Sequence, residues 1–180
     1  PWRKKVSFKR KQYYTLISEF MLQQTQVTTV IPFFNRFIKN LPSINSLAKA
    51  NEKKLIKLWQ GLGYYSRARN LKKTAQAIFV NFEGKLPNNL KDLLSLPGVG
   101  NYTANAILAI AFNKPYIPLD GNIERVLKRY LYLKKKKEIQ KDNLLQKKII
   151  FGTSSRSSDY AQALMELGAL ICKPVSPNCK

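Results

Sequence analysis

"LPGVGNYTANAI", Leu96–Ile107, sets two glycines around one valine and runs directly into a helical pattern. With no Cβ in the way, Gly98 and Gly100 let the backbone turn tightly and approach a ligand closely. A helix that begins straight after such a hairpin aims unpaired backbone N–H groups outward, a ready site for a phosphate. Contacts of that kind fix position and read no base sequence. A plain helix-to-helix turn explains the same residues, so the hairpin, residues 96–100, does not decide alone. What surrounds it is more informative. "NNLKDLLSL", 88–96, precedes it, and after "NYTANAILAIAF" and the turn-forming "NKPYIP" comes "LDGN", Leu119–Asn122. Helix, glycine hairpin, helix, then a Gly/Pro-rich loop carrying an aspartate is the order that matters.

The same helical periodicity extends over the rest of the chain. Apolar residues recur at spacings of three and four, and no segment alternates with β-branched enrichment, which predicts an all-α fold. Leu16, Ile17, Phe20, Met21, Val27, Val30 and Ile31 line one long helical stretch that Pro32 is expected to break or kink. "NEKKLIKLWQGLG", 51–63, reads as a short helix capped by Asn51 and ended by Gly61 or Gly63. "YYSRARNLKKTAQAIFVNF", 64–82, reads as a basic amphipathic helix stopped by Gly84 and Pro87. "LDGNIERVLKRYLYL" follows the hairpin region, then the lysine run Lys134–Lys137, then two more helices ending near Cys172.

Charge narrows the partners. The 180 residues hold 32 Lys and Arg against 10 Asp and Glu, a formal net charge of +22, and such an excess points to a polyanion, most often nucleic acid. A compositional bias of the genome toward Lys, Asn and Ile offers a blander origin. There is no histidine, which excludes imidazole catalysis and histidine-ligated metals. No apolar run reaches the ~18 residues of a membrane span, and no signal peptide is visible, so the expectation is a cytoplasmic, non-membrane protein. The chain starts at Pro1 without methionine and stops one residue after Cys179, which reads as a piece of something longer.

"LPGVGNYTANAI" followed about twenty residues on by "LDGN" resembles the helix-hairpin-helix plus Gly/Pro-Asp motif of base-excision DNA glycosylases. Within that superfamily, "SEFMLQQTQV" (Ser18–Val27), "GLGYYSRARNL" (Gly61–Leu71) and "LDGNIERVL" (Leu119–Leu127) resemble the adenine DNA glycosylases of the MutY type. The resemblance covers essentially the whole chain. It implies a monomeric enzyme of base-excision repair that acts on double-stranded DNA, flips out adenine mispaired with 8-oxoguanine or guanine, and works in a bacterial nucleoid. It also implies two helical lobes with a central cleft: residues 20–130 as a helical barrel bearing the hairpin, and residues 1–19 with 131–180 as a terminal lobe on the iron-sulfur side.

N-glycosidic cleavage needs an acid that improves the leaving base and an anion that stabilises an oxocarbenium-like sugar. With ten carboxylates, candidates are few. Glu19 lies between Ile17 and Phe20 on an apolar helix, where burial favours a general acid, whereas an exposed face would make it a surface residue. By resemblance, Glu19 protonates adenine N7. Asp120 is well placed as a helix N-cap; by resemblance, its carboxylate faces the sugar C1′, opposite Glu19 across the cleft, and Asn122 helps to hold the site. Glycosylases that also cut the backbone carry a lysine where Tyr102 stands, since an amine can form an imine and a phenol cannot. Tyr102 therefore implies a monofunctional enzyme. A packing role on the hairpin helix is the alternative.

The resemblance assigns DNA and base contacts to Gln24, Thr25 and Tyr64, which reach into the duplex, and to Gly98, Val99 and Gly100 of the hairpin. A Gln-Gln pair is ordinarily a solvated face and a Tyr-Tyr pair ordinarily core. Arg67 and Arg69, on the basic helix, are candidate phosphate contacts. Trp2 and Arg3 match the family's "PWR" beside the adenine pocket, and Gln162 in "YAQALMELGALIC" matches a residue that contacts the extruded base. Leu16 stands where the family usually has tryptophan, which alters packing beside Glu19 and removes no functional group.

Cys172 and Cys179 have six residues between them, compatible with a core pair, a disulfide or half a metal site. The resemblance implies two of four ligands to a 4Fe-4S cluster. Two rival functions remain: an endonuclease III-like pyrimidine glycosylase and lyase, opposed by Tyr102 and by Gly121-Asn122, and a non-catalytic helix-hairpin-helix DNA-binding module, in which Glu19 and Asp120 are a core residue and a cap.

Overall fold

The computed structural model describes residues 1–132 and 155–179, and among these all regular structure is helical. The lysine run Lys134–Lys137 and one of the two expected C-terminal helices lie outside the described residues. Two compact units are present, residues 1–103 and 104–180. This division is contiguous in sequence and keeps residues 1–19 with the first unit. The expected lobe joining 1–19 to 131–180 falls partly on residues outside the description.

The first unit is built from α1 (Phe8–Leu22), α2 (Val27–Asn40), α3 (Ile44–Lys49), α4 (Glu52–Trp59), α5 (Tyr65–Asn81), α6 (Leu90–Leu94) and the start of α7 (Asn101–Ala106). From Thr15 to Met21 every residue of α1 is buried, so this helix has no solvent face there. Phe20 of α1, Phe34 and Phe37 of α2, Trp59 of α4 and Leu71 and Ile78 of α5 are all fully buried. Each such side chain contributes about 1.5–3 kcal/mol. Phe37 meets Trp59 edge to face at 6.1 Å, and the buried Tyr13 hydroxyl donates to the Leu41 carbonyl at 2.6 Å. Caps follow the expected chemistry: Asn51 Oδ1 accepts the Lys54 N–H at 2.7 Å and starts α4. At its other end, Gly61 and Gly63 both take positive φ.

The long stretch expected to break at Pro32 breaks earlier. Pro32 sits inside α2, whereas the chain turns at residues 22–25. There the Thr25 N–H donates to the Leu22 carbonyl at 3.2 Å, with Gln23 at φ −55°, ψ 111° and Gln24 at φ +54°. That is a type II turn carrying glutamine where glycine or asparagine is usual.

In the second unit, α7 continues into a π-helical turn, Ile107–Ala111, followed by α8 (Gly121–Tyr130) and α9 (Ser157–Leu170). Ile117, Ile123 and Leu127 form its core with Leu119, Leu164 and Met165. Asn113, in left-handed backbone, closes the π-helical turn, and its Oδ1 accepts the Ser158 N–H at 2.9 Å, which caps α9. A Cβ on Gly168 of α9 would lie 2.7 Å from Asn122 Cβ and 2.9 Å from the Asn122 carbonyl oxygen, so α8 and α9 cross in close contact here.

Candidate functional site

In the first unit the hairpin joins α6 to α7. The Val99 N–H donates to the Leu96 carbonyl at 3.1 Å, with Pro97 and Gly98 between them and Gly98 at φ +76°, the pattern of a type II turn. Glycine is required twice over at 98. A Cβ there would lie 2.8 Å from Asn70 Cβ and 3.1 Å from Phe20 Cε1. The hairpin is thus seated on α5 and α1, and Thr74 Oγ1 ties it further by donating to the Pro97 carbonyl. Gly98, Gly100 and Asn101 face solvent, Val99 is buried beneath them, and Tyr102 is half-buried as the second residue of α7.

Glu19 is 6% exposed in the fully buried segment of α1, which removes the surface alternative for this carboxylate. Three residues on, α1 ends at the Gln24 turn. Gln24 is exposed, and Thr25 is half-buried with its hydroxyl donating to the Gln23 carbonyl at 3.3 Å. Tyr64 is 60% exposed at φ +48°, just before α5. Two expected contact residues, Gln24 and Tyr64, therefore occupy left-handed backbone, which non-glycine residues seldom adopt and which concentrates at functional sites. Trp2 is half-buried against the Phe34 ring, edge to face at 5.2 Å, and Arg3 is exposed.

Arg67 differs from the sequence expectation. Rather than meeting phosphates, its side chain is buried, 6% exposed, with its guanidinium among backbone carbonyls. Nη1 donates to Met21 at 2.7 Å and also to Gln23, and Nη2 donates to Gly63 at 3.2 Å. Its carbon Cζ lies 5.2 Å from the Tyr64 ring centroid and 5.6 Å from that of Trp59. Burial lowers its pKa from the ordinary arginine value, opposed by the nearby Tyr64. Arg69, by contrast, is exposed and pairs with Glu52 at 3.1 Å.

In the second unit Asp120 does cap a helix. Oδ1 accepts the Ile123 N–H at 2.7 Å at the start of α8. Oδ2 accepts from Asn122 Nδ2 at 3.2 Å. Asn122 Oδ1 in turn accepts from Arg125 Nη2 at 2.9 Å, and Arg125 also donates to the carbonyls of Gly168 at 2.6 Å and, through Nε, of Cys172 at 2.7 Å. A continuous hydrogen-bonded chain thus leads from the Cys172 backbone through Arg125 and Asn122 to the Asp120 carboxylate. Sequence reasoning missed Arg125. The available signal was its position three residues after Asn122 and five after Asp120, within one helical turn and a half. Gln162, expected to touch the base, is half-buried in α9 with its amide donating to the Ser158 carbonyl at 3.0 Å.

Cys172 is buried and Cys179 exposed, and both are free. Arg129 Nη1 donates to Cys172 Sγ at 3.3 Å and to the Lys173 carbonyl at 2.8 Å, and Nη2 donates to the Pro174 carbonyl at 3.0 Å, so this arginine organises the loop after α9. A cation on the sulfur favours thiolate, the ligating form. Among the described residues no group of three or more His, Cys, Asp or Glu comes together. The two thiols match half of a four-thiolate set and do not form a cluster site by themselves. Among the described residues no helix is long and apolar enough to cross a membrane.

Comparison with known proteins sets these features in a family. The chain is 45% identical, over 99% of its length and 50% of the relative's, to an adenine DNA glycosylase of Buchnera aphidicola subsp. Baizongia pistaciae. It is 37% identical, over 99% of its length and 34% of the relative's, to the human adenine DNA glycosylase. The chain thus spans about half the length of the first, and less of the second. In structure it is similar to a thermostable thymine-DNA glycosylase, with a TM-score of 0.82 and 28% identity over 99% of this chain and 85% of that one. It also shares the fold of endonuclease III in a non-covalent DNA complex, with a TM-score of 0.78 and 24% identity over 93% of this chain and 78% of the other. Residues 17–149 match the HhH-GPD superfamily base excision DNA repair proteins, and with a buried glutamate, a seated glycine hairpin and a capped aspartate on the page, the chain belongs to that superfamily.

Proposed function

We propose that this chain is the catalytic part of a monofunctional adenine DNA glycosylase acting on adenine opposite 8-oxoguanine or guanine in duplex DNA. The observation that carries the reading is the buried Glu19 on the helix that runs into the Gln24 turn, in a chain whose adenine DNA glycosylase relatives align over 99% of it.

The chemistry follows from the groups and their surroundings. A carboxylic acid shielded from water can keep its proton and hand it to the leaving base; here that is Glu19 to adenine N7. Protonation draws electrons from the glycosidic bond, which breaks as positive charge develops on the sugar. Asp120 supplies the opposing negative charge at C1′, oriented by the Ile123 N–H and by Asn122. Water then takes C1′ and leaves an abasic site. Tyr102 offers no amine for a Schiff base, so the strand stays intact. Gln24 and Tyr64 fill the space the adenine vacates, with Thr25, Trp2, Arg3 and Gln162 as further contacts to base and duplex. Gly98, Val99 and Gly100 present the hairpin to phosphates. A protein acting on chromosomal DNA in this way belongs in the bacterial cytoplasm and works as a monomer. Cys172 and Cys179 stand as two thiolates of a 4Fe-4S cluster, through which no step runs.

The test is single-turnover reaction of the full-length protein with a labelled duplex holding adenine opposite 8-oxoguanine, with and without alkali. Strand breakage that appears only after alkali is expected. Breakage without alkali would overturn the monofunctional reading, and intact strands in both samples despite tight binding would favour a binding module.

A further inference from the structure

Two exposed side chains in this unit, Gln24 and Tyr64, sit in left-handed backbone without being glycine. Such a residue relaxes when the peptide bond before it rotates by about half a turn, because that rotation changes φ of the residue and ψ of its predecessor together. For Gln24 the peptide in question is 23–24, the central peptide of the type II turn, and flipping it yields a type I turn with Gln24 in ordinary right-handed backbone. For Tyr64 it is peptide 63–64. The carbonyls of these two peptides belong to Gln23 and Gly63. Both accept hydrogen bonds from one group, the Arg67 guanidinium, through Nη1 and Nη2 respectively. Trp59 Nε1 adds a second bond to the Gly63 carbonyl at 3.0 Å.

The geometry points to Arg67 as a positioning residue that locks peptides 23–24 and 63–64 and so holds Gln24 and Tyr64 ready to enter DNA. The same guanidinium reaches the Met21 carbonyl at 2.7 Å, in the last turn of α1, where a cation complements the helix dipole. The C-terminal end of the helix bearing Glu19 and both insertion loops therefore share one anchor. Its planar fork is what makes this possible: the two terminal nitrogens point along different directions to carbonyls on two loops, which a single ammonium cannot do. That Gln24 and Tyr64 meet a duplex rests on the proposed function; the locking of the two peptides does not.

Arg67→Lys in the full-length protein tests the lock, with Arg67→Met as a second variant that keeps apolar packing without charge. Amide hydrogen exchange in the free protein should quicken at least about ten-fold at residues 22–25 and 62–66, with central α2 and α5 unchanged. Single-turnover adenine excision should slow about ten-fold while duplex binding changes little. In a Gln24→Ala, Tyr64→Ala background the further loss from Arg67→Lys should shrink to within about two-fold, because the residues it positions are gone. Unchanged exchange in the two loops overturns the lock. A loss that stays additive in that background overturns the positioning role and leaves Arg67 serving the fold. If the loops loosen but the wild-type protein excises no adenine, the lock stands and the adenine reading falls.

Discussion

Replacing Gly168 with alanine sets two effects of opposite sign against each other, and the structure decides between them. Gly168 is helical without positive φ, so nothing in its own backbone forbids a side chain. On propensity alone alanine gains up to about 1 kcal/mol over glycine in a helix. Against this stand the new contacts: 2.7 Å to Asn122 Cβ, 2.9 Å to the Asn122 oxygen and 3.0 Å to its carbonyl carbon. These are backbone and Cβ atoms, which cannot rotate aside, so α8 must shift away from α9. Overpacking of that kind costs about 1–3 kcal/mol. The balance is a net loss of about 1–2 kcal/mol, and at this chain length each kcal/mol lowers the melting temperature by about 2–4 °C. The shift also falls on Asn122, whose 3.2 Å bond to Asp120 Oδ2 already lies at the long end of the N–H···O range. Thermal unfolding should show a melting temperature lower by about 2–8 °C, and single-turnover adenine excision should slow about ten-fold. A variant that melts higher than the wild type and excises at the same rate would refute the close crossing and the path from it to Asp120.

The remaining variants separate structural from chemical roles. Arg125→Met strips donors from the carbonyls of Cys172 and Gly168 and from Asn122 Oδ1. At about 1 kcal/mol for each lost bond, unfolding measurements should register a loss of about 3 kcal/mol, with excision slowed because Asn122 loses its orientation. Asparagine caps helices as well as aspartate does. Asp120→Asn should therefore leave the melting temperature of α8's unit nearly unchanged while excision falls below detection, and a fully active variant would reduce Asp120 to a cap. Glu19→Gln keeps the shape of a 6% exposed side chain and removes its titrating proton. DNA binding should persist with excision abolished, and an active variant would assign the proton transfer elsewhere.

Some of this was written locally in the chain and some was not. Asp120 as an N-cap, Asn51 as another, and the hairpin turn with Gly98 at positive φ are short-range chemistry, decided by a few neighbours. Sequence could say that Gly98 is free to turn; it could not say that Asn70 and Phe20 leave no room for a Cβ, since those contacts span tens of residues. The helix break misplaced at Pro32 shows the same limit. Proline was tolerated within α2, while the actual break at 22–25 depends on carbonyls held by an arginine more than forty residues away.

Arginine explains most of what pattern reading missed. Along the basic stretch 65–73, Arg67 and Arg69 look alike, two cations on one helix. In the fold one is buried among carbonyls and the other is exposed beside Glu52. Arg125 and Arg129 repeat the arrangement in the second unit, each joining α8 to the end of α9 or the loop beyond it. A guanidinium keeps its charge when desolvated and carries five donors in a plane, so it can serve several backbone acceptors at once where an ammonium would be costly to bury. A net charge of +22 therefore does not translate residue by residue into contacts with a polyanion. Lysine, abundant and mostly exposed, supplies the diffuse attraction to DNA. The buried arginines act inward and set the geometry of the groups meant to touch it.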